Sequence, residues 1–299
     1  MLALVAAAPG GASTGTRIAS PVATRRSAPS RSANRSAAVN TWRRPDRRAR
    51  TSDAYWTFIG PFGGISAATA LRAVLEHPQR EGDPLALTVN FCAPIAAGEF
   101  TVRLRRTRAN RSSQHWSVEV TQGESAEAVL TATVVTAARR ESFSHQRGVA
   151  PEMPAWESLA AEPTRAPLSW VAQYEFRFAE GLLELSDTPP EPPRSQSSER
   201  GLRDAVPRPL DFLSLTAMSD AFFGRLFQLI GRVPPFGTVS MTTYFHASAD
   251  ELRAHGTAPL AAVADARVFH RSFCDQTAEL YGRGGQLLAT AVQVAYFRA

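Results

Sequence analysis

The chain contains no lysine: all 33 of its basic residues are arginine, which reflects the composition bias of a genome more than any chemistry. Cysteine is nearly absent too. Cys92 and Cys274 lie far apart, in strand-like runs, with neither a C-x-x-C redox motif nor a paired metal-ligand spacing. Both are expected as buried, reduced thiols in a cytosol-like compartment. No apolar run approaches the roughly 18 residues that a membrane span requires, so a soluble protein is expected. There is no G-x-S-x-G elbow and no cysteine set beside a histidine, which leaves nucleophilic catalysis without support. Acidic residues are missing from one end only. Residues 1–50 hold ten Arg and one acid, Asp46, for 10 − 1 = +9, and the rest holds 23 Arg against 26 acids, 23 − 26 = −3. The net charge of +6 therefore sits in the tail, and no basic groove for nucleic acid is expected on the mildly acidic body.

Residues 1–50 are rich in Ala, Ser, Arg and Pro and have no hydrophobic period. Such a segment cannot bury enough apolar surface to offset its ordering entropy. A disordered extension is expected, and its composition equally fits an organellar transit peptide or a start codon placed too far upstream.

From residue 51 one pattern occurs twice. A small-residue helix, "FGGISAATALRAVLE" (62–76), enters through Gly63 and Gly64 and stops near Pro78. Strand-like runs follow at 85–92, 99–108, 115–122 and 128–137. About 155 to 160 residues later the order returns. A strand at 170–178 leads through a Pro- and Ser-rich stretch to a helix from Pro209 to Gly231, then strands at 237–247, 260–270, 273–282 and 286–297. "LTATVV" (130–135) matches "LATAVQ" (288–293), so Gln293 is peculiar to the second copy. On the 209–231 helix, Asp211, Ser214, Arg225 and Gln228 form one narrow polar stripe while Leu, Met and Phe fill the remaining circumference. A helix this apolar is buried on nearly all sides. An antiparallel sheet curled around it satisfies that need, giving an α+β double hotdog: an N-terminal module at 51–145, a linker at 146–168 and a C-terminal module at 169–299.

Two polar residues stand out. Gln293 shares a strand face with Leu287, Ala289, Ala291, Ala295 and Phe297, where an unpartnered amide costs about 1–3 kcal/mol. Asp220 lies on the sheet-facing side of the second helix, where desolvation raises a carboxyl pKa. Either could be satisfied by backbone, with no chemistry implied.

"SDAFF" (219–223), "GTVSMTTYFH" (237–246) and "LLATAVQ" (287–293), with "GPFGGISAATALRAV" (60–74) and "LTVNFCAPIAAGEF" (87–100) in the first repeat, resemble the type II acyl-CoA thioesterases. The resemblance spans about residues 52–299 and is weakest between Leu182 and Arg203. It implies an acyl-CoA substrate, no cofactor or metal, self-association, and a catalytic water held by Asp220, Thr238 and Gln293. On its own residues, Thr238 opens a polar row with Ser240, Thr242, Tyr244 and His246, which a solvent-facing strand also explains. Gly63 and Gly64 would admit a substrate carbonyl to the helix N-terminus, or merely let the helix enter the sheet tightly. A non-catalytic acyl-binding hotdog remains open. An enoyl-CoA hydratase on this fold needs a His beside its Asp, which "MSDAFFGRLFQ" lacks. A cytoplasmic enzyme with no membrane or nucleic-acid partner is the resulting expectation. The "GRGG" at 282–285 reads as a hairpin turn and not as a phosphate cradle.

Overall fold

A computed structural model describes residues 46–161, 168–186, 190 and 198–298; of the extension expected over residues 1–50, residues 1–45 lie outside them. Alternating apolar and polar residues make the strands, and an apolar small-residue segment makes the first helix. β1 (Arg47–Arg50), α1 (Gly63–Leu75), β2 (Asp83–Phe91), β3 (Glu99–Ala109), β4 (Ser113–Thr121) and β5 (Ala128–Ala137) form the first half. β6 (Ala160–Ala161), β7 (Tyr174–Glu180), β8 (Ser198–Asp204), α2 (Phe212–Met218), α3 (Arg225–Ile230), β9 (Phe236–Phe245), α4 (Ala249–His255), β10 (Leu260–Asp265), β11 (Phe269–His270), β12 (Phe273–Tyr281) and β13 (Leu287–Phe297) form the second.

The strands make one antiparallel sheet in the order β1-β3-β4-β5-β2-β9-β13-β12-β10-β8-β7-β6, with β11 added on β12. Its centre is a mirror: β3-β4-β5-β2 meets β9-β13-β12-β10, so the β2–β9 pair joins two copies of one unit. That seam runs from Ala86 opposite Tyr244 to Asn90 opposite Ser240. Thr88 and Thr242 share a hydroxyl hydrogen bond across it (3.0 Å), and Ser240 donates to Asn90 (3.0 Å). α1 and α2 pack against the sheet. Nine of the residues from Gly64 to Val74 in α1 are buried, as are six of the seven in α2, so the two pack on each other and on both half-sheets. This is the double hotdog that the repeat predicts.

Structural register corrects the alignment of the copies. Phe91 opposes Leu130 in the first and Phe245 opposes Ala289 in the second. Counting inward from each pair makes Val134 the counterpart of Gln293, one residue short of the letter-by-letter match. A one-residue slip exchanges the two faces of a strand, so only the structural register compares like with like.

The second central helix is not continuous. α2 and α3 are separated by residues 219–224, and Asp220 sits in that break. Ser219 turns its hydroxyl onto the Thr216 carbonyl (2.8 Å), and the Asp220 and Ala221 amides reach only three residues back, to Ala217 and Met218. This tightens and ends the helical turn. Gly224 then caps α3, and Gly231 ends it in the left-handed conformation at φ 71°. The polar stripe is also not a solvated one: Asp211 caps α2 through the Ser214 amide (2.7 Å), and Ser214, Arg225 and Gln228 are buried.

Other boundaries move. Residues 47–50 of the expected extension are strand β1, paired with β3 and tied by Arg47 to Glu76 (2.8 Å). The 146–168 linker contains β6 and a turn placing Trp156 against the guanidinium groups of Arg177 and Arg203. The run at 170–178 is strand only from Tyr174, and 260–270 is interrupted after Asp265. Strand β8 and helix α4, with its Ser248–Glu251 capping box, were not foreseen. Cys274 is buried as expected, whereas Cys92 is exposed. Because β1 covers the first turns of edge strand β3, truncation through Arg50 should lower Tm by a few degrees relative to truncation through Pro45, roughly 1 kcal/mol for a domain of this size. Differential scanning fluorimetry checks it, and equal Tm values would deny β1 a structural role.

Candidate active site

Three side chains remote in sequence form one hydrogen-bonded chain. Thr238 Oγ1 donates to Gln293 Oε1 (3.1 Å), and Gln293 Nε2 donates to Asp220 Oδ1 (2.7 Å). Gln293 is therefore satisfied at both ends of its amide on an apolar strand face, its neighbours Ala291 and Ala295 being buried. Thr238 touches Gln293 and not Asp220, so the set is a relay through the amide.

Backbone irregularities aim each member. Along β9 the side chains of Ser240, Thr242 and Tyr244 point away from the core, with Met241, Thr243 and Phe245 buried between them. Regular alternation would send Thr238 outward as well. A bulge intervenes: Val294 opposes Ser240, but Ala295 opposes Thr238, leaving Val239 unpaired. The extra residue turns Thr238 to the inner face beside Gln293. Asp220 is presented by the break between α2 and α3.

Residues Gly63 and Gly64 bring the first copy into the site. A Cβ on Gly63 would lie 2.6 Å from Asp220 Oδ2, and one on Gly64 would lie 2.5 Å from the Ala217 carbonyl. The paired glycines thus allow the α1 N-terminus to press against the end of α2, with Asp220 at the contact. The first-turn amides of a helix have no intrahelical acceptor, and the Gly64 N–H favours the ionised Asp220. Beside this contact, Phe62 stacks on Trp170 (4.3 Å between ring centres), which packs in turn on Phe223 (5.6 Å).

Asp220 is only 8% exposed. Burial pushes its carboxyl up to about 7, with the Gln293 and Gly64 hydrogen bonds acting in the opposite direction. Such a group is half ionised near neutrality, where a general base works best. Thr238, Gly63 and Phe91 are half-buried, and a Cβ on Gly237 would meet nothing within 4 Å.

Gln276 was missed by sequence reasoning. It faces Gln293 directly across β12 and β13 and is 4% exposed. The signal was available: it is a second amide on an apolar face, between Cys274 and Ala278. The histidines take no part in the relay. His246 shares a hydrogen bond with Thr290, and His255 meets the Ala258 carbonyl.

A twice-built hotdog sheet with a buried Asp–Gln–Thr relay at the junction of its helices defines a class, and comparison narrows it. The model described as the acyl-CoA thioesterase N-terminal domain matches residues 52–137, and that of the acyl-CoA thioesterase C-terminal domain matches residues 146–297. The second match takes in the stretch expected as a linker. The chain belongs to the acyl-CoA thioesterase family, whose members are thioester hydrolases. A conserved protein of unknown function with a hotdog fold from Alicyclobacillus acidocaldarius is 37% identical (TM-score 0.79; 85% of this chain, 93% of that one). A putative thioesterase II from Thermobifida fusca is 16% identical (TM-score 0.68; 85% and 92%). Acyl-CoA thioesterase II TesB2 from Mycobacterium marinum is 18% identical (TM-score 0.65; 85% and 93%); these two likenesses concern the fold. No curated protein sequence matches significantly.

Two predictions follow from the geometry. Gly63→Ala drives a methyl group into Asp220 and Phe91, and should destabilise the fold by about 1–3 kcal/mol, read as a fall in denaturation midpoint; a neutral effect would mean that the α1 terminus can retreat. Asp220→Asn bears on pH. A carboxyl raised from its ordinary value to about 7 binds more protons folded than unfolded between pH 4 and 7, so stability falls as pH rises through that window. Asn should therefore stabilise the protein at pH 8, by an amount on the order of 4 kcal/mol at most, with no gain below pH 4. Urea melts at the two pH values check this, and an equal effect at both would show that Asp220 is not raised.

Proposed function

We propose that the protein hydrolyses acyl-CoA thioesters to free acid and CoA, with Asp220 as general base. The observation that carries this reading is the Thr238–Gln293–Asp220 relay ending at the N-terminus of α1. A water beside Asp220 attacks the thioester carbonyl carbon and gives its proton to the carboxylate. The carbonyl oxygen becomes an oxyanion, for which the first-turn amides at Gly63 and Gly64 are the nearest candidate donors. The Gly64 N–H already leans on Asp220, so substrate contact falls mainly to Gly63. Collapse of the intermediate breaks the C–S bond, and Asp220 returns its proton to the departing sulfur, leaving CoA thiol and the acid. No covalent acyl-enzyme is required.

Gln293 has two tasks in this scheme. It fixes the carboxylate rotamer, and its N–H favours the ionised, proton-accepting form. Thr238 holds the opposite end of the amide, so that Nε2 and not Oε1 faces Asp220. The relay leaves the second Gln293 N–H and the Thr238 lone pairs for water. We place the enzyme in the cytosol, in keeping with two free thiols; among the described residues no helix is long and apolar enough to cross a membrane. We also propose self-association through the outer face of β9 and β13, where Tyr244, Val292, Val294 and Tyr296 are exposed.

Thiol release from a panel of acyl-CoAs tests the activity. Asp220→Asn should lower kcat by at least about a hundredfold, and near-normal turnover would remove the carboxylate from the role of base. The kcat/KM profile of the native enzyme should rise with pH through about 7, since the protonated carboxyl cannot accept a proton. Gln293→Leu removes a bond that favours ionisation, so its acid limb should move to higher pH; a limb that stays in place would separate Gln293 from Asp220.

A further inference from the structure

On the inner face the two copies differ at the cross-strand pair that includes the Asp220 partner. In the first, Val134 opposes Trp116. The same register in the second pairs Gln293 with Gln276. Two adjacent buried amides thus replace a Val and a Trp, and only Gln293 bonds to Asp220. Gln276 spends its amide on the main chain of the segment that carries Asp220: its Oε1 accepts from the Arg225 amide (3.1 Å), and its Nε2 donates to the Phe222 carbonyl (3.5 Å).

Arg225 closes the same segment from within. Its Nε and Nη2 both donate to the Phe223 carbonyl (3.0 and 2.7 Å), and its Nη1 donates to Ser198 Oγ (2.7 Å) and Gln228 Oε1 (2.9 Å). Gln228 in turn donates to the Gly181 carbonyl (2.6 Å). Arg225 is 2% exposed, and burial lowers its pKa only to about 10, so it remains a cation at neutral pH. Among the described residues no carboxylate lies within ion-pair distance of it. A buried guanidinium held by carbonyl, hydroxyl and amide oxygens is costly unless each bond is made, and here each of its three nitrogens has an acceptor. Burial raises the Asp220 pKa against the Gln293 and Gly64 hydrogen bonds, which lower it, and the Arg225 charge is not among the causes. The influence of Arg225 on Asp220 is therefore through geometry.

We infer that Gln276 and Arg225 are positioning residues that lock the 220–225 turn, and with it the rotamer and height of the Asp220 carboxylate against Gln293. This rests on the hydrolytic reading above. The turn's own restraints lie at its start, where the Asp220 and Ala221 amides reach Ala217 and Met218 and the Phe222 amide bonds to the Asp220 carbonyl (2.8 Å); no regular helix spans 219–224, and Gln276 and Arg225 tie its second half through the Phe222 and Phe223 carbonyls. Shifts of about 1 Å at a reacting group can cost on the order of a hundredfold in rate.

The experiment uses the full chain with Gln276→Met, Gln276→Glu and Arg225→Lys. Gln276→Met and Arg225→Lys should each lower kcat at least about tenfold with KM within about twofold. In both, the acid limb should move above that of the native enzyme, because a displaced carboxylate loses N–H donors that favour ionisation. Gln276→Glu, which still accepts from the Arg225 amide, should recover part of kcat relative to Gln276→Met. Native kcat and an unmoved acid limb in either folded variant overturn the proposal. So does failure of both to fold, which would assign the network to stability alone. If the native enzyme releases no thiol from any acyl-CoA, the hydrolytic reading fails by itself. Infrared titration of the Asp220 carboxyl, isolated by subtracting the Asp220→Asn spectrum, then decides: a raised midpoint in Gln276→Met supports the positioning role, and an unmoved one overturns it.

Discussion

The Gln293–Asp220 hydrogen bond is the constraint from which the other irregularities of this protein follow. A carboxylate taken out of water without a cation beside it is unfavourable, and an N–H donor is the smallest device that keeps it usable. That donor is a strand residue, so the acid has to descend to the sheet, and the second helix breaks at Asp220. The amide must present nitrogen and not oxygen, so Thr238 is turned inward by a bulge in β9. Gly63 and Gly64 have no side chains because the remaining face of the acid is occupied by the end of α1.

Duplication explains how one chain can carry such a site without losing its fold. Both copies keep the same strand order, and each supplies something different. The first keeps an unbroken helix whose N-terminus is offered to its neighbour, with Trp116 and Val134 as ordinary core. The second gives up helix continuity and an apolar cross-strand pair and gains Asp220, Gln276 and Gln293. The seam between β2 and β9 places the two contributions within hydrogen-bonding reach. Neither copy alone contains both the acid and the helix terminus that faces it.

The strands were legible because period-2 alternation is local, and β5 and β13 fall close to where their patterns put them. Gln293 was legible for a related reason: an amide in an alanine row is conspicuous once the strand is recognised. The helix break was not. Residues 209–231 have helical composition throughout; local bonds at Ser219, Asp220 and Ala221 end α2, and the turn that follows is held in part by Gln276 on β12, which no window over 209–231 contains. The bulge that redirects Thr238 is likewise a property of pairing with β13; in sequence Thr238 joins the outward row of Ser240 and Thr242. β8 was hidden by the Pro- and Ser-rich composition before it, and β1 by the arginines that make it resemble the tail. Arg225 was legible only as part of a narrow polar stripe, whereas oxygen acceptors from several segments hold it in the interior.

An aspartate beside a thioester has two chemical options: to activate water, or to attack the carbonyl itself and form an anhydride. The relay favours the first, since Gln293 occupies Oδ1 and the α1 N-terminus crowds Oδ2. A single turnover in H₂¹⁸O, with mass analysis of both the released acid and the peptide containing Asp220, separates them most directly. With Asp220 as general base, the first acid released carries one ¹⁸O and the Asp220 peptide carries none. Heavy oxygen in Asp220, with unlabelled acid from that first turnover, would contradict the account.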